Sequence, residues 1–302
     1  MRIQLDLAKT PFDLGHTLSC GQTFRWRQDG DNWVGVVGQK VLKIRQRGEG
    51  VLELESSGDD ADSGFVRRYF RLDDDLPKIY SRIDKDEVVR DAVVRFHGLR
   101  LLRQEPWECL ISYICATFKN IPAIKQMIFG LSKRFGMPIV FEGAEFYGFP
   151  RCRVLAEASL ADLRCCGLGY RAAFVRETAR VVYKGGFDLE SLRDLSYDLA
   201  KRKLMALPGV GSKVADCVLL FSLDKLEAFP VDVWMKRIIL EHYSQYFEPA
   251  FVEKLRSRDG LSRRDYEVVY SFGRRYFGEF VGYAQEYLYH FKRCQALSRV
   301  GN

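Results

Sequence analysis

No Cys-x-x-Cys pair occurs among the eight cysteines (Cys20, Cys109, Cys115, Cys152, Cys165, Cys166, Cys217 and Cys294), and the four histidines (His16, His97, His242, His290) are scattered. That spacing argues against a zinc site or a four-cysteine iron–sulfur cluster, so no metal or other cofactor is expected. No apolar run approaches the length of a membrane span, and Met1-Arg-Ile-Gln-Leu-Asp6 lacks the apolar core of a signal peptide. The expectation is an intracellular protein with reduced thiols and no membrane partner, cytoplasmic if the source is a prokaryote. Low-complexity segments, long linkers and internal repeats are also lacking. Charge of neither sign dominates. The net value of +7 and a pI near 8.9 fit a polyanion partner, but fit a merely basic protein equally well.

What is present is an ordinary globular composition: 302 residues, 47% hydrophobic and 29% charged, enough for two domains with sizeable cores. Residues 1–75 read as a β-rich domain. Phe24–Trp26, Trp33–Val37, Lys40–Arg45 and Val51–Glu55 are rich in strand formers, and Asp29–Asn32, Gly38 and Gly48–Gly50 between them carry turn chemistry. Successive hairpins imply an antiparallel sheet. A helix follows at about Ser63–Phe70. From Leu76 the apolar spacing turns helical, and residues 76–302 read as an all-helical body. Its segments are Glu87–Phe96, Trp107–Phe118, Ile121–Phe135, Leu160–Cys165, Arg171–Lys184, Leu189–Leu195, Tyr197–Ala206, Lys213–Phe221, Val233–Tyr243, Pro249–Ser257, Arg264–Phe277 and Gly282–Leu297. Met137–Arg153 breaks the period with Gly, Pro and aromatics and reads as a loop with one short helix. Ser196 and Asp232 are placed as N-caps. The fold class is α+β.

Residues 197–221 form a helical hairpin about Leu207-Pro-Gly-Val-Gly-Ser212. Gly209 and Gly211 let another backbone approach, and the N–H groups opening the following helix make an anion site suited to a phosphate. The spacing is not that of a nucleotide-binding loop. Lys213 lies in the first turn of that helix. There the dipole opposes an ammonium, and partial burial opposes it too, which favours the free amine that attacks carbon. Cys217 follows one turn later on the same face and could exchange a proton with it. Alone, this pair also reads as a phosphate-binding lysine beside a core cysteine. Asp232, nineteen residues after Lys213, caps a helix, and most such aspartates are only caps. As a site residue it could accept a proton from an amine or stabilise a cationic sugar.

At these residues the chain resembles the helix–hairpin–helix DNA glycosylases, and within them the 8-oxoguanine DNA glycosylase family. Leu207–Cys217 and Pro230–Val233 resemble the family's catalytic hairpin and aspartate segment. Ser19-Cys-Gly-Gln-Thr-Phe-Arg-Trp26 is similar to its base-pocket motif, and Glu105–Cys115 to the helix before its DNA-wedging loop. Gly167-Leu-Gly-Tyr-Arg-Ala172 resembles a second DNA-contacting turn, and Gly282–Tyr289 the C-terminal pocket helix. The resemblance implies a TATA-binding-protein-like N-terminal domain and a monomer acting on double-stranded DNA that contains 8-oxoguanine. The implied activity is base excision through a Lys213 Schiff base, with β-elimination at the abasic site. It implies Lys213 as nucleophile, Asp232 as its partner, and the Gly21 carbonyl as acceptor for the N7 hydrogen that guanine lacks. Gln285 would bond the base edge, and Tyr289 and Cys217 would sandwich the flipped base. Tyr170 would wedge the duplex. Arg171, Lys119, Asn120, Gly209 and Gly211 would contact DNA.

Three departures mark this chain. Thr117-Phe118-Lys119-Asn120 stands where eukaryotic members carry an asparagine run, so Phe118 is expected to wedge by stacking. Ala123 replaces an arginine that reads the opposite cytosine, so weak opposite-base discrimination is expected. Trp234 replaces a histidine and Lys292 its acidic partner, so that pocket wall is expected to differ. The departures fit the archaeal and bacterial branch. Two other readings stay open: excision of another damaged purine, and a helix–hairpin–helix DNA-binding protein without catalysis.

Overall fold

The computed structural model describes residues 2–7, 10–48, 50–58 and 61–300, the last four by backbone alone. The first part holds β1 (Arg2–Asp6), α1 (Leu14–Ser19), β2 (Trp26–Asp29), β3 (Asn32–Val37), β4 (Lys40–Arg47), β5 (Val51–Ser56) and α2 (Ser63–Tyr69). The strands form one antiparallel sheet in the order β1-β5-β4-β3-β2. Alternation divides its faces. Leu42, Ile44, Leu52, Leu54 and Trp26 join Phe12, Leu14, Val66 and Phe70 in one core. Trp26 lies over Gly35, where an added Cβ would stand 2.4 Å from the indole, and donates to Tyr69 Oη at 2.9 Å. The sequence reading missed α1, which at six residues is too short to show a period; Asp13 caps it by accepting from the His16 N–H at 2.6 Å. It also missed β1, and it started β2 two residues early.

Helices then follow: α3 (Leu76–Ile83), α4 (Glu87–Arg95), α5 (Pro106–Ala116) and α6 (Ile121–Phe135). The expected loop at Met137–Arg153 is instead a two-stranded hairpin, β6 (Pro138–Phe141) with β7 (Ala144–Tyr147). Glu142 and Gly143 both adopt positive φ, +49° and +75°, as a tight two-residue turn requires. Glu-Gly is a weaker turn signal than Asn-Gly, which is why the hairpin escaped notice. Its Ile139, Phe141 and Phe146 cover Val34, Val36 and Val41 on the second face of the sheet, and Glu142 pairs with Lys43 at 2.8 Å.

The remaining helices are α7 (Cys152–Glu157), α8 (Leu160–Cys165), α9 (Arg171–Tyr183), α10 (Tyr197–Met205), α11 (Ser212–Ser222), α12 (Val233–His242), α13 (Pro249–Arg256), α14 (Arg263–Phe277) and α15 (Val281–Val300). The expected helix at Leu189–Leu195 is a 3₁₀ turn, Glu190–Asp194. Ser196 occupies the N-cap of α10 but makes no side-chain cap bond. α5 ends at Ala116, two residues short of expectation, because Thr117 leaves the helical region at ψ 120° and Phe118 adopts φ +53°.

Sheet and helices are joined by buried arginines. Arg100 donates from Nε to the Pro11 carbonyl at 2.9 Å, and Arg71 pairs with Asp224 at 2.6 Å. Asp224, just after α11, also takes Arg103 at 2.7 Å and Arg193. Burial opposes its charge, yet these arginines hold its carboxyl below the ordinary value. The helix that carries Lys213 is thus anchored to the N-terminal part of the chain.

Candidate active site

The hairpin between α10 and α11 is fixed by close packing. Gly209 has φ +78°, and a Cβ there would lie 2.7 Å from Phe174 Cβ of α9. Thr178 Oγ1 donates to the Pro208 carbonyl at 2.8 Å. Gly211 opens α11 without a side-chain cap and faces open space, which leaves room for a phosphate over the helix start. Beneath the hairpin lies a buried polar network that the sequence did not suggest. Asp216 accepts from Tyr197 Oη and Tyr266 Oη, each at 2.5 Å, and from Lys201 Nζ at 3.1 Å. Tyr266 Oη in turn accepts the Val231 N–H at 3.3 Å, so the network reaches the residue before Asp232.

Lys213 is half-buried in the first turn of α11. Burial pushes the Cys217 thiol far above its ordinary value. The Lys213 ammonium is the main influence pulling it back, and Asp216 and Asp232 push it further up. Lys213, Cys217 and Asp232 therefore share one electrostatic environment. A thiol held protonated in this way is an apolar wall, so the proton exchange considered for Cys217 does not follow. Asp232 caps α12, accepting from the Trp234 and Met235 N–H groups at 2.9 and 3.0 Å. Both bonds use Oδ1, so the cap does not occupy Oδ2. The Tyr289 hydroxyl is raised by burial and then by the charge of Asp232.

Gly21 meets this group from the other side. Its φ is +107°, and a Cβ there would lie 3.6 Å from Tyr289 Cε1 and 2.9 Å from Ile121 Cδ1. The turn around it is tightly bonded. The Ser19 and Cys20 carbonyls accept from Arg293, and the Gln22 carbonyl accepts from Gln104 Nε2 at 2.8 Å and Tyr113 Oη at 3.0 Å. Among the described residues the Gly21 carbonyl alone in this run accepts nothing. One turn before Tyr289, Gln285 is buried with its Oε1 unpartnered. Gly21 and Gln285 thus each offer an open acceptor, and the Tyr289 ring lies against Gly21. Sequence reading missed Glu286 and Arg293 on the same helix. Glu286 is 2% exposed, and burial pushes its carboxyl up to about 7, against the Cys20 hydrogen bond and Arg293 and with help from Asp232.

The expected DNA contacts divide. Phe118 is 91% exposed and Tyr170 57%, large apolar side chains that folding leaves uncovered. Lys119 and Asn120 are exposed as well, but the Asn120 side chain is taken up as the α6 cap, accepting the Ala123 N–H at 3.0 Å. Arg171 departs from expectation. It is 4% exposed, donates to the Thr117 carbonyl, and lies 4.4 Å from the centroid of the Tyr170 ring. It braces the Phe118 loop against the Tyr170 turn, and burial keeps it from meeting a duplex directly. Tyr170 packs on Phe174, and Phe174 on Gly209, so loop, turn and hairpin form one surface. Trp234 stacks with Arg237 at 4.9 Å, and Lys292 pairs with Glu241 on α12.

Residues 4–110 match the family model described as the 8-oxoguanine DNA glycosylase N-terminal domain. Over 318 residues the chain is 32% identical to the N-glycosylase/DNA lyase of Saccharomyces cerevisiae, covering 95% of this chain and 85% of that protein. The chain belongs to the 8-oxoguanine DNA glycosylase family. A second relative, the probable N-glycosylase/DNA lyase of Methanothermobacter thermautotrophicus, is 34% identical over 78% of this chain and 76% of its own. The glycosylase also superposes on the Clostridium acetobutylicum 8-oxoguanine glycosylase/lyase, solved with double-stranded DNA containing cytosine opposite 8-oxoguanine. The TM-score is 0.85 at 30% identity, covering 98% of each chain. The antiparallel sheet followed by a helical body is the family's α+β fold.

Proposed function

We infer that this protein is a bifunctional DNA N-glycosylase and abasic-site lyase that removes 8-oxoguanine from duplex DNA. The observation that carries the reading is that the Lys213 and Asp232 charges both act on the buried Cys217 thiol, while Gly21, its carbonyl open, lies against the Tyr289 ring. In this reading Phe118 and Tyr170 enter the stack while the lesion turns out into the pocket. The Gly21 carbonyl accepts the lesion's N7 hydrogen and meets the lone pair of normal guanine with repulsion. Gln285 bonds the base edge, and Tyr289 and Cys217 hold its faces.

Lys213 Nζ attacks C1′. The bond from C1′ to the base breaks, and its electron pair leaves with the base, which takes up a proton. Asp232 stabilises the cationic sugar and accepts the proton the attacking amine gives up. Opening of the sugar ring leaves a Schiff base. Loss of a C2′ proton from it then breaks the bond to the 3′ oxygen.

Ala123 offers no donor to an opposite base, which supports weak opposite-base discrimination. We take the protein to act as a monomer, which sedimentation analysis checks. Borohydride added during reaction with an 8-oxoguanine duplex should trap a covalent protein–DNA adduct. Lys213→Gln should bind the duplex and yield neither adduct nor product. Base release by the wild type without any adduct would refute the lysine as nucleophile.

A further inference from the structure

The Gly21 turn is tied to the last helix by the Cys20–Glu286 hydrogen bond and, at its backbone, by one guanidinium. Arg293 donates from Nη2 to the Ser19 carbonyl at 2.7 Å and from Nη1 to the Cys20 carbonyl. These are the two carbonyls that lead into Gly21. The same Nη1 would stand 2.6 Å from a Cβ at Gly21, so the guanidinium lies directly against this α-carbon. It also reaches the Tyr289 hydroxyl. On the far side of Gly21, Gln22 is bound at both ends. Its Nε2 donates to the Thr17 and Arg100 carbonyls at 3.0 and 2.8 Å, and its Oε1 accepts the Leu102 N–H at 2.8 Å.

The peptide groups on either side of the Gly21–Gln22 peptide are held through the Cys20 and Gln22 carbonyls, and among the described residues the Gly21 carbonyl between them accepts nothing. A glycine at φ +107° has wide conformational freedom. Left to itself, its carbonyl would sample several directions and lose the geometry on which one hydrogen decides between lesion and normal base. Two charge-assisted bonds from a planar fork remove that freedom.

We propose that Arg293 is a specificity-positioning residue, which aims the Gly21 carbonyl at the damaged base without touching the base or the reacting sugar. The proposal rests on the 8-oxoguanine reading of the pocket. It separates two activities of one active site. Recognition of a base needs the aimed carbonyl. Cleavage of a preformed abasic site, which has no base to recognise, needs only Lys213, Asp232 and the DNA surface.

The test uses the full chain and two substrates, an 8-oxoguanine duplex and a duplex carrying a preformed abasic site. Arg293→Met keeps the length of the side chain and removes both bonds. Single-turnover excision of 8-oxoguanine should fall by roughly 30-fold or more, as expected for losing charge-assisted hydrogen bonds. The ratio of 8-oxoguanine to guanine excision should fall with it, while abasic-strand cleavage and borohydride trapping stay within about two-fold. Arg293→Lys keeps the charge and one donor, and its excision rate should lie between the two. If Arg293→Met does not fold, the same split is read on Arg293→Lys. Equal loss of both activities in a folded variant would make Arg293 a general structural residue and overturn the proposal. So would unchanged excision. Failure of the wild type itself on 8-oxoguanine would instead count against the proposed function.

Discussion

Replacing Asp216 by asparagine probes the network beneath the hairpin. The amide keeps the shape of the carboxylate but not its charge. Lys201, whose side chain is 9% exposed, then holds an ammonium with no counter-charge, and the amide nitrogen faces one of the two hydroxyls that now donate to Asp216. Removing one partner of a buried ion pair costs about 3–5 kcal/mol. An unfolding entropy of about 2.1 cal/mol/K per residue gives about 0.6 kcal/mol/K for this chain, so Tm should fall by about 5–8 °C. Thermal unfolding followed by circular dichroism measures this directly. Adding Lys201→Met removes the stranded ammonium and should restore part of the loss, since groups in contact are not additive. The network also bears on catalysis, because Tyr266 holds the Val231 N–H next to Asp232. Single-turnover excision by Asp216→Asn, measured well below its Tm, should therefore be slower than wild type. A fall in Tm under about 1 °C, the size of an ordinary surface substitution, would show that the network holds nothing in place.

Three further expectations follow from particular residues. Glu286 binds its proton more tightly in the folded protein, about 7 against an ordinary 4.5, so its stabilising contribution is full below pH 4.5 and is lost as pH rises through 7. The loss is on the order of 3 kcal/mol; Glu286→Gln should flatten the fall in Tm between pH 5 and pH 8, and parallel slopes for variant and wild type would contradict this. Phe118→Ala should leave Tm unchanged but weaken lesion-duplex binding by about 1–3 kcal/mol, the worth of an aromatic–base stack. Its salt dependence should match wild type because no charge is removed; a change in slope would point to a different role. Ala123→Arg should raise the preference for cytosine opposite the lesion by about 1–3 kcal/mol if that side chain faces the opposite base, read as the ratio of excision rates over the four partners.

Helices with a long apolar period were legible from the residues alone, as were the strands bounded by glycine turns. So were the hairpin and the aspartate cap, because capping and turn chemistry act over a few neighbouring residues. Short elements such as α1 were not, since six residues carry no period, and β6–β7 hid behind an unusual turn pair. The pocket residues Gly21, Gln285 and Tyr289 were found through the resemblance; spacing alone would have left a polar and a core position on a helix. Asp216, Glu286, Arg293 and the burial of Arg171 were invisible for another reason. Each depends on which distant segment lies opposite it, and a charged letter in a sequence does not say whether its partner is water, a carbonyl or a carboxylate.

The bond from Arg293 to the Ser19 carbonyl joins residues 274 apart in the chain. A polypeptide leaves the ribosome from its N-terminal end. The turn at Gly21 is therefore made early, with its partners at residues 100–113 following, while Lys213 emerges before Arg293. Only when α15 docks can the Ser19 and Cys20 carbonyls accept from Arg293. A chain interrupted before that helix would lack Gln285, Tyr289 and the core residues Tyr283, Tyr287 and Leu288 as well as Arg293. In the order of synthesis these two bonds are thus among the last contacts the chain can make.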